Sequence, residues 1–267
     1  MHRFYLLPDE WLSDVLVLRD SEAHHARNVL RMQPGDKAVL FNGRGREVTA
    51  EITSLDGAQV QLRKLQEAET PPLRCHITLA QAIPKGKNMD LIVQKAVEIG
   101  AAEIAPLISE RTIVDLDAAT AGQKQAKWQQ VAIEAAKQCG QNWLPRVHAP
   151  RKLAQFFDVA TGLRPVPEKD TSHRDAATTS FDLQLIGSLQ SDAVHLKKIL
   201  AEYSNEHHER PTSVLMVIGP EGDFTPAELS LARRHGCRPI TLGPIILRVE
   251  TAAIYCLSVL SYELLAN

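Results

Sequence analysis

The sequence lacks the features that mark membrane-embedded and exported proteins. None of its 267 residues falls in an apolar run of the roughly 18 residues that a membrane-spanning helix needs. The first residues, from Met1 to Tyr5, do not lead into the apolar segment of a signal peptide. These absences argue against membrane insertion and export, so the sequence predicts a cytoplasmic protein.

Cysteine is scarce, and no two cysteines stand at metal-binding spacing. The four are Cys75, Cys139, Cys237 and Cys256. Without a C-x-x-C pattern they fit reduced, mostly buried thiols rather than a disulfide framework or a zinc site. The histidine pairs at 24–25 and 207–208 do not replace them, because adjacent side chains diverge on a helix or a strand. No metal is predicted.

An excess of positive charge is also missing. The chain has 30 Lys and Arg against 32 Asp and Glu, a formal net charge of -2. Proteins that hold RNA by bulk electrostatics are usually net basic, because their affinity comes from neutralising phosphates. An RNA substrate would therefore have to be recognised by a local basic patch and by the shape of a specific site, which favours a folded particle over free RNA.

Two short apolar runs near the C-terminus end in glycine-bearing loops. Residues 214–218 stop at Gly219, and residues 239–242 stop at Gly243. Aliphatic, β-branched runs bounded by turn residues are typical of buried strands. Thr225, followed by Pro226 and Glu228, has the pattern of a helix N-cap with a capping box. The alternation predicts an open α/β sheet, in which ligands bind outside the carboxyl ends of the strands.

The composition of these loops argues against a phosphate ligand. Pro220 lacks an N–H, Glu221 adds negative charge, and no Lys follows. The sequence also has no P-loop and no G-x-G-x-x-G after a predicted strand, so a Rossmann-type nucleotide enzyme is the least favoured class. A compact adenosine-type ligand with a positive sulfonium would tolerate the carboxylate. Each loop alone could be an ordinary turn, but the pair, with Arg248 and Glu250 beyond the second, favours a binding site.

Segments 218–224 and 242–252 resemble the signature loops of the SPOUT methyltransferases. More narrowly, they resemble the RsmE-type family, which methylates N3 of a uracil in the 16S ribosomal RNA of the small subunit. Segments that match the other blocks of the family, in order, are 24–31, 41–47, 81–87 and 134–141. The chain departs from the family where Asp223 replaces a frequent Gly and Ile245 a frequent Arg. The departures leave the fold assignment unchanged.

The residues and the resemblance together predict two domains. Strand candidates over 37–41, 47–53 and 59–65, the latter two with period-2 alternation, and the hairpin turns Asn42-Gly43 and Asp56-Gly57 indicate a β-rich first domain. The polar, proline-bearing segment 67–72 reads as a linker, which gives domains 1–72 and 73–267. The resemblance implies a PUA-like β-barrel, a common RNA-binding module, followed by a SPOUT α/β domain with a C-terminal trefoil knot.

Periodicity and turn residues predict the elements around these motifs. Strands are expected over 76–82, 103–108 and 181–188, and helices over 21–30, 89–99, 123–139, 196–203 and 251–265. Surface loops are expected over 158–180 and 205–209. The last helix is apolar on several faces, so it either fills the core or meets a partner subunit. The resemblance favours both, because SPOUT enzymes are homodimers.

The resemblance also implies the ligands and the site residues. S-adenosylmethionine would be bound by Ile186, Gly187, Ile218, Gly219, Pro220, Glu221, Gly222, Leu242, Gly243, Ile246, Leu247, Arg248 and Thr251. RNA would be contacted by Arg27, Arg31, Arg44, Arg46, Lys85 and Lys87. Arg248 is the candidate catalytic residue for the negative charge that develops on the uracil oxygens, because a guanidinium can bridge two acceptors. Glu250 would orient Arg248 or cap the last helix.

The sequence leaves two questions open. A non-catalytic RNA-binding or ribosome-assembly factor could have the same fold, and it would bind small subunits without binding S-adenosylmethionine. The target atom, uracil N3, follows from the family resemblance alone, because no residue spacing indicates one nucleotide over another.

Overall fold

The computed structural model of the chain describes residues 1–11, 15–56, 58–112, 117–159 and 181–265. They form two compact units, Met1–Leu73 with Gln130–Pro145 and Arg74–Gln129 with Arg146–Asn267. The sequence prediction divides the chain after residue 72, close to the break at Leu73. It assigns 130–145 to the second domain, whereas the structure groups this segment with the first unit.

A mixed five-stranded sheet is the framework of the first unit. Its strands are β1 (His2–Tyr5), β2 (Val15–Leu18), β3 (Lys37–Phe41), β4 (Arg46–Asp56) and β5 (Gln59–Glu69), in the order β1-β3-β4-β5-β2. β1 is parallel to β3, and the other neighbours are antiparallel. Alternate residues of β4 point inward, so Val48, Ala50 and Ile52 are buried in the core of this unit. The period-2 pattern in the sequence therefore marks the buried face.

Two local predictions for the first unit are wrong. Segment 67–72 is not all linker, because β5 continues to Glu69, where its backbone pairs with Arg46 of β4. The single helix predicted over 21–30 is α1 (Asp20–His24) followed by a π-helical turn, His25–Val29. The turn widens because the Leu30 N–H bonds to the carbonyl of His25, five residues back, at 2.9 Å.

Asn142 explains why segment 130–145 belongs to the first unit. This residue is buried, and its side-chain amide donates to Glu47 Oε2 at 3.0 Å and to Thr70 Oγ1 at 2.9 Å. The backbone carbonyl oxygen of Asn142 accepts the N–H of Gly45 at 2.9 Å. Next to it, Trp143 Nε1 donates to the carbonyl of Thr70 at 2.8 Å. The polar groups of this loop are thus satisfied by residues of the small sheet.

A parallel eight-stranded sheet is the centre of the second unit. Its strands are β6 (His76–Ala82), β7 (Glu103–Ile108), β8 (Arg146–Val147), β9 (Arg151–Lys152), β10 (Leu183–Gly187), β11 (Val194–His195), β12 (Ser213–Ile218) and β13 (Arg238–Thr241). The order is β11-β13-β10-β12-β6-β7-β8, and β9 also pairs with β7. Every residue of β12 is buried, as in strands that are covered on both faces.

In the described residues, six helices accompany this sheet. They are α2 (Asn88–Ile99), α3 (Ala118–Cys139), α4 (Leu153–Val159), α5 (Leu196–His207), α6 (Pro226–Arg234) and α7 (Val249–Leu264); α3 crosses into the first unit at residue 130. The predicted capping box is confirmed, since Thr225 Oγ1 accepts the N–H of Glu228 and Glu228 Oε2 accepts the N–H of Thr225. The loop predicted over 158–180 begins inside α4, and residues 160–180 lie outside the described chain.

The prediction of a loop over 205–209 is wrong in its first half, because α5 continues to His207. The His207 ring stacks on Tyr203 one turn earlier, with 4.1 Å between ring centroids, and Nδ1 lies 3.0 Å from the Tyr203 carbonyl oxygen. These contacts offset the polar composition that suggested a loop. The helix ends at His208, whose φ of 58° is left-handed.

The strand order brings three loops to one edge of the sheet. β10 lies between β12 and β13, so the connection from β12 to β13 passes over β10. Because all these strands are parallel, the loops that follow Gly187, Ile218 and Thr241 leave the sheet at the same end. A connection that passes over a neighbouring strand is compatible with a knot, and the trefoil knot stays a prediction.

A buried carboxylate lies at the opposite end of the sheet. Glu103, at the start of β7, is 3% exposed, and its Oε2 lies 2.7 Å from His148 Nε2. His76 Nε2 lies 3.3 Å from Oε1, an ion-pair distance without the angles of a hydrogen bond. Burial alone raises the pKa of Glu103, but the interactions with the two histidines outweigh it and hold the pKa below its ordinary value.

Glu103 is therefore expected to stabilise the fold at neutral pH and less so in acid. Because its folded-state pKa is lowered, the stabilisation is complete above the ordinary pKa of 4.5 and declines as the pH falls through the folded-state pKa. We expect Glu103→Gln to lower the free energy of unfolding at pH 7 by about 3 kcal/mol. Urea unfolding of both proteins at pH 7 and pH 3.5 measures the difference, which should shrink in acid. An equal difference at both pH values would contradict this role.

Candidate active site

A cavity of about 500 Å³ lies at the carboxyl ends of β10, β12 and β13. Three loops line it, one after each of these strands, together with the first turns of α2 and α7. Gly243, in the third loop, has a φ of 123°, which only glycine adopts without strain. A Cβ on Gly219 would lie 3.2 Å from the Phe224 ring, so the second loop, which follows β12, packs tightly on that ring at this glycine. The glycines that drew attention in the sequence thus shape this cavity.

Most of the residues predicted to bind a cofactor are brought together here. The predicted residues that line the cavity are Gly187, Ile218, Gly219, Pro220, Glu221, Leu242, Gly243, Ile246, Leu247, Arg248 and Glu250. Three others do not line it. Ile186 is fully buried in the sheet, Gly222 is in the second loop but faces Arg111, and Thr251 is exposed on α7. Lining residues that sequence reasoning missed include Asn88, Ser188, Leu189, Asp223, Ile240 and Thr241.

The charged side chains of the cavity are mostly acidic. Glu221, Asp223 and Glu250 line it, and Arg248 is the single Lys or Arg among the lining residues in the described chain. Carboxylates around a cavity attract a cationic ligand and disfavour a phosphate. The second loop also presents Pro220, which has no N–H to offer to an anion. The site therefore suits a neutral or positively charged ligand with a sizeable apolar part.

The loop that follows β12, the second of the three, is held by hydrogen bonds to the loops that follow β6 and β7. The N–H of Lys85 donates to Glu221 Oε1 at 2.8 Å. The Arg111 guanidinium donates to the carbonyl of Gly222. The buried carboxylate of Glu228 accepts the N–H of Glu110 at 2.9 Å. Sequence reasoning missed Arg111 and assigned only the side chain of Lys85, because these bonds join segments more than one hundred residues apart.

Arg248 and Glu250 stand at the start of α7. Arg248 is the N-cap residue, and its side chain is exposed at the cavity. Glu250 accepts a hydrogen bond from the side-chain amide of Asn88, with 3.3 Å between Nδ2 and Oε2. Within the described residues its carboxylate bonds neither Arg248 nor a backbone N–H of α7, so the structure gives it a partner that the sequence did not suggest.

Matches to known proteins cover nearly the whole chain. A family model described as an RNA methyltransferase domain matches residues 71–261, and one described as an RNA methyltransferase PUA domain matches residues 18–65. Ribosomal RNA small subunit methyltransferase E of Bacillus subtilis (strain 168) is 31% identical over 249 residues, 91% of this chain and 88% of that protein. The chain belongs to the ribosomal RNA small subunit methyltransferase E family.

Solved structures agree with this assignment. Ribosomal RNA small subunit methyltransferase E from Neisseria gonorrhoeae, bound to S-adenosyl methionine, is similar with a TM-score of 0.78 and 32% identity over 98% of each chain. A Legionella pneumophila protein in complex with the bound cofactor SAM has a TM-score of 0.80 and 34% identity, over 98% of this chain and 97% of that chain. The predicted fold class, an α/β methyltransferase domain preceded by a PUA-like domain, is confirmed.

The departure from the methyltransferase family at Asp223 has a local explanation. Asp223 has a φ of 63°, in the left-handed region where glycine costs least and Asp or Asn is tolerated. Its Oδ1 accepts the N–H of Phe224 at 2.8 Å, and its Oδ2 accepts that of Leu189 at 3.4 Å. The carboxylate therefore connects the second loop to the first. The other departure, Ile245, is 73% exposed at the rim of the cavity.

The predicted RNA-binding residues of this family member differ in how far they are occupied by internal contacts. Arg46 Nη2 lies 3.2 Å from Glu67 Oε2, and the guanidinium lies 5.8 Å from the centre of the Trp11 ring. Arg44 is exposed, and its N–H is anchored on the side chain of buried Asn42 at 2.8 Å. Arg27 is half-buried, whereas Arg31, Lys85 and Lys87 are exposed. A role in RNA binding stays a prediction for all six.

Metal and membrane features are not found in the described parts of the chain. There, no cluster of three or more His, Cys, Asp or Glu side chains is arranged around a possible ion. Likewise, no described helix has the length and apolar character to cross a bilayer.

Proposed function

We propose that the chain transfers a methyl group from S-adenosylmethionine to N3 of a uridine in the 16S ribosomal RNA of the small subunit. The observation that carries the proposal is the acidic cavity at the carboxyl ends of three adjacent parallel strands. Family membership supports the RNA substrate, and the two S-adenosylmethionine-bound neighbours support the cofactor. Small subunits are assembled in the cytoplasm, where we infer that the enzyme acts.

The residues present fit S-adenosylmethionine. Its positive sulfonium is compatible with Glu221, Asp223 and Glu250, and the apolar walls from Ile218, Leu242 and Leu247 suit the adenine ring. The cavity volume of about 500 Å³ lies within the usual range for such ligands. When bound, the cofactor supplies an electrophilic methyl group. The three loops would hold its position, which by itself lowers the barrier of a bimolecular transfer.

Methylation of N3 requires that the N3 proton leave and that the negative charge spreading onto O2 and O4 be stabilised. Arg248, exposed at the cavity, offers a permanent positive charge for these oxygens. The N-terminus of α7, which Arg248 caps, adds its partial positive charge on the same side. We assign Arg248 the role of stabilising the charged base.

Transfer of labelled methyl from S-adenosylmethionine to purified small subunits that lack the modification tests the proposal. Protein-free 16S ribosomal RNA serves as the second substrate. We expect label on the particle and less on the free RNA, since a protein of net charge -2 needs a shaped site. No label on either substrate, together with no binding of S-adenosylmethionine, would favour a non-catalytic RNA-binding factor instead.

Arg111→Ala is expected to weaken S-adenosylmethionine binding about tenfold. The change removes the charged donor that holds the Gly222 carbonyl, an interaction worth about 1.5 kcal/mol. Calorimetric titration of the folded variant measures the effect. Arg210→Ala removes an exposed arginine elsewhere in the same unit and serves as the control. An unchanged dissociation constant in Arg111→Ala would show that the loop does not depend on this bond.

We also propose that the chain forms a homodimer through α7. Tyr255 and Tyr262, seven residues apart on one side of the helix, are 41% and 77% exposed, and Leu91 of α2 is 40% exposed. Exposed aromatic residues are enriched in protein interfaces. Sedimentation equilibrium should give a dimer for the wild-type protein and a monomer for Tyr255→Glu/Tyr262→Glu. Lys198→Glu, on the exposed side of α5, should leave the dimer intact, and a monomeric wild-type protein would refute the proposal.

We propose, finally, that the first unit helps to bind the RNA. Arg31 and Arg44 are exposed there, and arginine is a common contact of nucleic-acid phosphate groups. Lys85 and Lys87 follow β6 in the second unit, in the segment whose backbone contacts Glu221. These four residues are the candidates that we favour for contacts to the RNA backbone.

A further inference from the structure

The bond between Asn88 and Glu250 joins two helix N-termini inside the cavity. Asn88 is the first residue of α2, and Glu250 is the second residue of α7. The two side chains are half-buried, both line the cavity, and 3.3 Å separates Asn88 Nδ2 from Glu250 Oε2. The residues are 162 positions apart in the chain, so the contact depends on the packing of α2 against α7. The bond fixes the direction of a carboxylate that would otherwise be a flexible side chain.

Glu250 differs from the other two carboxylates of the cavity in what holds it. Both oxygens of Asp223 accept backbone N–H groups, from Phe224 and Leu189. Glu221 is exposed and accepts the N–H of Lys85. Glu250 is half-buried and is held by a side chain, and in the described residues no hydrogen bond reaches its Oε1. Its second oxygen is thus free to accept a proton from a bound molecule.

Charged groups of both signs lie around Glu250. It is in the first turn of α7 and accepts a hydrogen bond from Asn88. Arg248, two residues earlier, adds positive charge, whereas Glu221 and Asp223 add negative charge across the cavity. On α2, the Asp90 carboxylate accepts hydrogen bonds from Trp128 and Lys127. Lys87, next to Asn88, is exposed.

We propose that Glu250 is the base that takes the N3 proton of the target uracil, and that Asn88 is the positioning residue that aims its carboxylate. In the transfer, the N3–H bond breaks and the proton goes to Oε1 of Glu250. N3 forms a bond to the methyl carbon while the carbon–sulfur bond breaks, and that electron pair returns to sulfur, which leaves neutral S-adenosylhomocysteine. The inference rests on the proposed function, and it names the residue that accepts the one proton that the reaction must remove.

The first arm of the test measures kcat, KM for small subunits, and the calorimetric dissociation constant of S-adenosylmethionine. Removal of a base costs about 100-fold or more in rate, so Glu250→Gln should lose at least that in kcat. Its loss in cofactor binding should be much smaller, because Glu221 and Asp223 keep the cavity acidic. Asn88→Ala should lose about tenfold in kcat, because Glu250 remains but is no longer aimed. Thermal unfolding of each variant checks that it is folded.

The second arm uses the pH dependence, which a merely structural role would not shift. Asn88→Asp keeps the shape but puts a second carboxylate next to Glu250, which raises the pKa of the base. The acidic limb of the kcat profile should therefore move up by about one pH unit. Asn205→Asp adds the same charge at an exposed position of α5 and should leave the profile unchanged.

The roles of Asn88 and Glu250 can be refuted separately from the methyltransferase function. Wild-type kcat in Asn88→Ala together with an unshifted pH profile in Asn88→Asp would overturn the positioning role, while an active wild-type protein would leave the methyltransferase function in place. Full kcat in Glu250→Gln would overturn the assignment of Glu250 as the base. A wild-type protein that transfers no methyl would overturn the proposed function and this inference together.

Discussion

Replacing Arg248 with alanine is expected to lower kcat/KM for methyl transfer by about 100- to 1000-fold. A fixed donor aimed at developing negative charge is worth about that factor in other enzymes. Arg248 is the single cation among the described residues that line the cavity, so no other side chain there can replace its charge. Single-turnover transfer to small subunits, with S-adenosylmethionine above its dissociation constant, measures the effect on the chemical step.

Two further variants make this result specific. Arg248→Lys keeps the charge but loses the planar, two-point geometry, so it should recover only part of the rate. Arg234→Ala removes another exposed arginine, from the end of α6, and should keep full activity. Full activity in a folded Arg248→Ala protein would remove Arg248 from the mechanism.

Gly45→Ala is expected to destabilise the first unit by about 4 kcal/mol. Gly45 has a φ of 89°, and a Cβ there would lie 2.7 Å from the carbonyl oxygen of Thr70 and 2.8 Å from the Trp143 ring. The left-handed backbone and the overlap each cost about 1 to 3 kcal/mol for a residue other than glycine. The loop of Arg44 and Arg46, on either side of Gly45, would shift as a result. Urea unfolding followed by tryptophan fluorescence measures the loss.

Gly35→Ala is the matched control. Gly35 has a similar φ of 92°, but nothing lies within 4 Å of the position of an added Cβ. The control carries the backbone strain alone, so its loss should be about 1 to 2 kcal/mol. Equal losses in the two variants would mean that the contacts of Gly45 with Thr70 and Trp143 do not constrain the loop.

Local patterns in the sequence predicted much of the fold. The capping box of Thr225 and Glu228, the inward alternation of β4 and the buried run of β12 depend on neighbouring residues, whose spacing a sequence displays directly. The corrections came where tertiary contacts outweigh composition. The polar residues up to Glu69 continue β5 because β4 is there to pair with them, and α5 continues to His207 because that ring stacks on Tyr203.

Long-range placement could not be predicted from the spacing of residues. The grouping of 130–145 with the first unit depends on Asn142 meeting Glu47, 95 positions away. In the site, glycines and charges marked two of the three loops, and the resemblance supplied most of the lining residues. Asn88 and Arg111 were missed because their partners, Glu250 and Gly222, are distant in the chain. Their place in the chain could have indicated them, since Asn88 follows the carboxyl end of β6 and Arg111 that of β7.

Nucleoside mass spectrometry of 16S ribosomal RNA tests the central claim most directly. Small subunits that lack the modification are incubated with the protein and S-adenosylmethionine, and the RNA is then digested to nucleosides. The account predicts one new product, 3-methyluridine, at roughly one per RNA, and its near absence with Arg248→Ala. A methyl group on carbon 5 of the base or on the ribose, or no new methylated nucleoside, would contradict it.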